Sequence, residues 1–300
     1  MATQVNVREI ILETLLLITR DGEYSHIALK NVLDKYQYLE KRERAFITRV
    51  VEGTLERQIE IDYIINQFSK VKVNKQKPVI RTILRSSVYQ LKYMDSVPAS
   101  AVCNEAVKLA QRKGFYNLKP FVNGVLRTIA REIGDLELPS REENEVRYLS
   151  VKYSMPEYLV EKWKAAYGVK TTEKILEDFL TERPITVRCR THKASLREIV
   201  TSLKSQGVTV EQAPYLPYAL KISDYNHILT LETFLQGKIL VQDVSSMLVA
   251  EAASPKKGDH IIDMCAAPGG KSIHAADKMG DYGNVDARDV SQYKADLIKE

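Results

Sequence analysis

The apolar residues of roughly the first 135 positions recur at helical spacing. Ile10, Ile11, Thr14, Leu15 and Ile18 make one stripe, Ala28, Leu29, Val32, Leu33 and Tyr36 a second, and Ala45, Phe46, Val50, Val51 and Leu55 a third. Ile59, Tyr63, Ile64 and Ile65 follow, then Val79, Ile83, Leu84, Val88 and Leu91. Each stripe reads as the core side of an amphipathic helix. No alternating run interrupts them. Pro78, Pro98 and Pro120 stand where helices can begin, because the N–H that proline lacks is unpaired in a first turn anyway. Residues 1–140 are therefore expected to form an all-α bundle.

The pattern then changes twice. Pro139-Ser140-Arg141-Glu142-Glu143-Asn144 is polar and opens on proline, which suggests a domain edge. Pro156–Tyr167 and Thr172–Thr181 read as two helices separated at Gly168. Ile185–Cys189 reads as a strand, Ser195–Lys204 as a helix closed by Gly207, and Val208–Glu211 and Ala219–Ile222 as strands. A small α/β linking module over 141–225 is expected. From about 226 a strand at Ile239–Val241, a helix capped by Ser245, a strand at His260–Met264, a helix opened by Gly269-Gly270 and a strand at Gly283–Ala287 predict the start of a doubly wound α/β domain over 226–300. The expected fold class is multidomain, α followed by α/β.

Charge sharpens this picture. Net charge is +5, but residues 1–140 hold 22 Lys/Arg against 16 Asp/Glu, so the excess belongs to the helical part. Between Tyr63 and Arg131 thirteen basic residues face only Asp95 and Glu105, a block suited to a polyanion. Lys70, Lys72, Lys75, Lys77, Arg81 and Arg85 form one candidate phosphate-contacting group, with Arg81 and Arg85 one helical turn apart. Arg112, Lys113 and Lys119 form another. No apolar run reaches the ~18 residues a membrane span needs, and the start lacks the basic-then-apolar order of a secretory signal. Cys103, Cys189 and Cys265 are widely spaced and no Cys/His cluster appears, so neither disulfides nor a metal site is expected, and a cytoplasmic monomer is.

Asp263-Met264-Cys265-Ala266-Ala267-Pro268-Gly269-Gly270-Lys271 carries the candidate chemistry. A glycine turn between strand and helix lets backbone approach a ligand and points a helix N-terminus at it. Gly270-Lys271-Ser272 ends like a phosphate-binding loop, but Cys265 occupies the place of that motif's first glycine. The dinucleotide pattern G-x-G-x-x-G fails too, because Lys271 and not glycine stands two positions after Gly269. Asp289, closing the next strand, is placed to hold ribose hydroxyls, with Asp286 a competitor inside that strand. An adenosine-bearing ligand is implied.

These residues carry a resemblance. Asp263–Lys271 resembles motif I of the RNA cytosine-5 methyltransferases of the Nol1/Nop2/Sun type, and Gln242-Asp243-Val244-Ser245-Ser246 resembles the run preceding it. The N-terminal part resembles the helical domain of the antitermination factor NusB through Arg44-Ala45-Phe46, Glu52-Gly53-Thr54-Leu55, Tyr89-Gln90, Val97-Pro98, Val102–Val107 and Phe121–Arg127. The order of the two parts is similar to bacterial 16S ribosomal RNA cytosine-5 methyltransferases. The resemblance implies a Rossmann-like class I methyltransferase domain binding S-adenosylmethionine through Cys265, Ala266, Ala267, Pro268, Gly269, Gly270, Lys271 and Asp289, with 16S ribosomal RNA as partner. It also implies a cysteine nucleophile, because carbon 5 of cytosine is a weak nucleophile until a thiolate adds to carbon 6. That family's cysteine follows a threonine, with a second in an Asp-x-Pro-Cys run, and neither pattern occurs in these 300 residues. The chain is thus expected to stop inside its catalytic domain and to transfer no methyl group by itself. An RNA-binding or antitermination-like module without catalysis is the alternative.

Overall fold

A computed structural model describes residues 6–181, 184–225, 227–280 and 282–299. Two compact units divide at Thr181/Glu182. In the first, the five predicted stripes fall on α1 (Val7–Thr19), α2 (Ser25–Lys35), α3 (Lys41–Glu56), α4 (Gln58–Phe68) and α5 (Pro78–Tyr93), and α6 (Ala99–Arg112) and α7 (Lys119–Glu132) follow. Ile11, Leu15, Ile47, Ile61, Ile64, Ile83, Leu84, Leu126 and Ile129 are fully buried in one core. Burying such a side chain is worth about 1.5–3 kcal/mol, which is what fixes the bundle. Pro78 opens α5, and Pro120 lies in the first turn of α7. Gly53 faces Tyr89 so closely that a Cβ there would lie 2.1 Å from the ring.

Two further helices complete this unit, α8 (Glu145–Tyr153) and α9 (Glu157–Phe179). Asn144 caps α8 by accepting the Arg147 N–H. The chain breaks inside α9 at Gly168, whose φ of 73° leaves the helical region, so the expected pair of helices is there. Leu149, Tyr153, Val160 and Leu176 form their core, and Trp163 packs on it, stacked against Phe179. Here the structure departs from the expected edge at residue 140. The α8 helix packs on α4, and the Ile59 N–H donates to Ser154 Oγ at 3.1 Å, so 141–181 is built onto the bundle.

The second unit begins with a four-stranded antiparallel sheet of order β2-β3-β1-β4, from β1 (Ile185–Cys189), β2 (Thr209–Gln212), β3 (Ala219–Ser223) and β4 (Ile239–Val241). Helix α10 (Leu196–Ser205) starts with a reciprocal cap between Ser195 and Glu198 and lays Ile199 and Leu203 on the sheet. The expectation that Ile239–Val241 opens the C-terminal domain is corrected. It pairs with β1, Val187 opposite Val241, because β1 is central and needs partners on both edges. After short α11 (Glu232–Leu235) and β4 comes α12 (Val244–Ala253), capped by Asp243 rather than by Ser245. Then β5 (His260–Asp263), α13 (Gly270–Met279) and β6 (Asn284–Ala287) form a parallel β-α-β unit, and α14 (Gln292–Lys299) follows. No helix among the described residues is long and apolar enough to cross a membrane.

Candidate cofactor loop and basic surface

The turn from β5 to α13 is shaped by Asp263. One carboxylate oxygen accepts the Cys265 N–H at 3.2 Å and the other the Ser272 hydroxyl at 2.7 Å, tying the strand end to the first turn of the helix. Ala266 donates its N–H to the Arg288 carbonyl, and Arg288 donates to the Asp263 carbonyl, both at 2.9 Å, so the loop is stitched to the end of β6. The Ala267–Pro268 peptide is cis. Gly269 has φ 109°, a conformation only glycine adopts easily, and no side chain caps the helix it precedes. The first-turn N–H groups of α13 have no acceptor within the helix, and no side chain caps them among the described residues. Gly270 looks into free space, with nothing within 4 Å of where its Cβ would stand.

Asp289 lies just past β6 and reaches back to this loop. Its Oδ2 accepts the Ala267 N–H at 3.2 Å and its Oδ1 the Val290 N–H at 2.8 Å. Burial opposes its charge, but those two N–H donors and Lys294 hold the carboxyl below its ordinary range. Each oxygen keeps lone-pair capacity for a further donor. Asp286 instead pairs with Arg288 and His260. Cys265 is exposed, Ala266 is buried, Pro268 is exposed, and Lys271 stands exposed in the first turn with no ion pair among the described residues. The structure thus brings Cys265–Lys271 and Asp289 around one uncapped helix N-terminus. Asp263 and Ser272 stand in or beside the run that carries the candidate chemistry, but the sequence did not show that they position the loop. Their signal was a carboxylate closing a strand nine residues before a hydroxyl on the following helix.

The remaining thiols are poorly suited to nucleophilic work. Burial pushes the Cys189 thiol up to about 12, against the opposing charge of Arg188, and burial also raises Cys103.

The basic residues of the helical unit divide sharply. Lys70, Lys72, Lys75 and Lys77 are all exposed on the connection between α4 and α5. That connection is ordered by Asn66, whose side chain accepts the Val73 N–H, and by Gln76, which donates to the Val71 carbonyl. Arg81 is half-buried. Arg85 must be corrected: it is buried and clamps Asp62 through two bonds of 2.7 and 2.6 Å, so it is no free cation. Lys113 bridges Glu9 at 2.6 Å and Glu13 at 2.9 Å, and Arg112 lies 3.6 Å from Glu9, so α1 neutralises most of the second group. Lys119 remains, over the Tyr116 ring.

Comparison with known proteins agrees with this order of domains. The NusB family matches residues 5–131, the ferredoxin-like domain of RsmF/B-like methyltransferases matches 155–228, and the 16S rRNA methyltransferase RsmB/F family matches 250–300. By these matches the chain carries a NusB-like domain followed by regions similar to RsmB/F methyltransferase domains. It is 38% identical over 299 residues to the probable ribosomal RNA small subunit methyltransferase B of Bacillus subtilis (strain 168), covering 99% of this chain and 65% of that protein. It is 34% identical to the protein of the same description from Synechocystis sp., covering 95% and 64%. The crystal structure of PH0851 superposes with a TM-score of 0.75 at 25% identity, covering 99% of this chain and 66% of that one. The chain spans just under two thirds of the length of these curated relatives.

Proposed function

We propose that this chain holds ribosomal RNA and S-adenosylmethionine for methylation of carbon 5 of a cytosine in 16S ribosomal RNA. The observation that carries the reading is the loop Cys265–Lys271 wrapped between Asp263 and Asp289, with its helix N-terminus uncapped and open space over Gly270. A cofactor with a carboxylate and a ribose fits that donor set. The first-turn N–H groups of α13 suit the carboxylate, and Asp289 suits the ribose hydroxyls. When bound, the cofactor supplies an electrophilic methyl group. The chain's own residues orient it and keep its ribose fixed.

The exposed lysines of the α4–α5 connection then serve as phosphate contacts, because unstacking a target base costs a few kcal/mol that backbone contacts elsewhere must offset. The nucleophile is a cysteine other than Cys103, Cys189 and Cys265, so residues 1–300 alone are expected to transfer no methyl group. A monomeric state and a cytoplasmic location belong to the same reading, as does a three-part division expected at 1–140, 141–225 and 226–300, in which α8 and α9 pack on the first part and β4 joins the sheet of the second.

Equilibrium dialysis with radiolabelled S-adenosylmethionine tests it. Saturable uptake, reduced about tenfold or more by Asp289→Ala and competed by S-adenosylhomocysteine but not by ATP or NAD, is the expected result. ATP uptake at the same site, or indifference to Asp289→Ala, overturns the assignment. Formation of 5-methylcytosine by the 300-residue chain would refute its expected inactivity.

A further inference from the structure

The α13 helix is held at both ends, and only the N-terminal attachment belongs to the loop. At the other end Asp277 is nearly buried, its side chain 5% exposed, and both its oxygens are taken by the small sheet. Arg188 Nη1 on β1 donates to Oδ2 at 2.6 Å. Arg190, in the turn after β1, donates to Oδ2 at 2.9 Å and to Oδ1 at 2.5 Å. Arg188 also donates from Nε to Gln242 Oε1 at 2.8 Å, just before the residue that caps α12. One guanidinium, its side chain 2% exposed, therefore joins the middle strand of the sheet to α13 and to the start of α12. Its neighbours Val187 and Cys189 point the other way, into the core under α10, as strand alternation requires.

Stability alone does not account for such a group. A buried ion pair is often matched or exceeded by an apolar pair of the same volume. This one is also incompletely satisfied, since Arg188 Nη2 and Gln242 Nε2 are both buried without a partner among the described residues. What the pair does supply is fixed geometry, because sliding α13 along its axis would leave a carboxylate and two guanidiniums buried and unmatched. Asp277 is two turns from Gly270, about 10 Å along the axis at ~1.5 Å per residue, so any such slide would carry the loop with it.

We propose that Arg188 is a positioning residue of the cofactor site: through Asp277 and Gln242 it sets the position of α13, and hence the loop Cys265–Gly270, from the small sheet. The inference rests on the cofactor reading for its purpose but not for its mechanics.

The test is amide hydrogen exchange on the 300-residue chain, read by mass spectrometry over the loop (264–273) and over the β1–β3 ladder. The variants are Arg188→Lys, Arg188→Gln, Asp277→Asn and a packing control, Val187→Ala. Lysine keeps the charge but cannot reach both Gln242 and Asp277 as a fork. Expected is at least tenfold faster exchange of the loop in Arg188→Gln and Asp277→Asn, a smaller increase in Arg188→Lys, and little change in the β1–β3 ladder. The Arg188→Gln/Asp277→Asn double variant should add little to either single one. Val187→Ala should loosen the ladder more than the loop. Loop protection unchanged in every Arg188 variant overturns the proposal, as does loosening of loop and ladder by the same factor as in Val187→Ala. Uptake of S-adenosylmethionine is measured in parallel and should fall about tenfold in Arg188→Gln. If the wild-type chain takes up none, the cofactor reading fails while the exchange data still decide the role of Arg188.

Discussion

Replacing Arg85 by methionine separates a structural arginine from an RNA-contacting one. In the folded chain Arg85 makes a two-pronged pair with Asp62, its side chain 10% exposed and that of Asp62 26%. Breaking a fully buried pair by removing one partner costs about 3–5 kcal/mol, whereas an exposed pair is worth less than ~1 kcal/mol. Asp62 retains some contact with water, so the expected loss lies between, at about 2–3 kcal/mol. The single tryptophan, Trp163, lies in the same compact unit and reports its unfolding by fluorescence during urea titration. A second variant, Arg85→Met with Asp62→Leu, should recover most of the loss, because no charge is then left unmatched. RNA affinity of Arg85→Met, measured at several salt concentrations below the unfolding transition, should keep the wild-type slope of log K against log salt. A slope reduced by about 0.7–0.9, the value of one lost phosphate contact, with an unchanged urea midpoint would refute this reasoning.

The exposed lysines behave oppositely: Lys72→Gln with Lys75→Gln should reduce the salt slope by roughly 1.4–1.8 and leave the urea midpoint within ~0.5 kcal/mol. Gly53→Ala should cost at least about 1–3 kcal/mol by Trp163 fluorescence, because the new methyl lands on the Tyr89 ring, and Tyr89→Leu in the same chain should recover part of it. His274 is buried against Tyr218, with Arg188, Asp277, Glu251 and Lys278 around it. Burial and then the charges of Arg188 and Lys278 push its pKa down to about 4. A depressed histidine favours folding only while it is neutral, so stability of the second unit is full above pH ~6.5 and falls as pH drops toward 4. The loss should be about 2 kcal/mol between pH 7.5 and 5 by circular dichroism, and His274→Phe should flatten it. Asp277, held below the usual carboxylate range by Arg190 and Arg188 against the effect of its burial, adds a loss of the same sign at lower pH.

The helical unit was legible because its signal is local: a stripe such as Ile10, Ile11, Thr14 and Leu15 fixes both the helix and its buried face. The β5-α13-β6 unit was legible for a related reason, since glycines and strand ends follow one another in sequence. What escaped was pairing across distance. Ile239–Val241 is three residues long and says nothing of its partner, so its place beside β1 needed the folded sheet. Arg85 belonged to a basic run, and nothing in the run reveals that Asp62, 23 residues earlier and one helix away, takes its charge. The same applies to Arg188 and Asp277, 89 residues apart.

Two glycines show why residue type alone could not settle function. Gly53 and Gly270 both lie in helices. At Gly53 a Cβ would collide with Tyr89, so glycine there serves the packing of α3 on α5. At Gly270 a Cβ would meet nothing within 4 Å, so the chain's own packing does not ask for glycine. A glycine inside a helix costs about 1 kcal/mol relative to alanine, and at Gly53 the packing against Tyr89 offsets that cost. Gly270 opens its helix rather than standing in its interior, and clear space in front of a first turn suits the anionic ligand group proposed there. That contrast is visible only when each glycine's surroundings are known, and it makes the loop, rather than the bundle, the place to look for the cofactor.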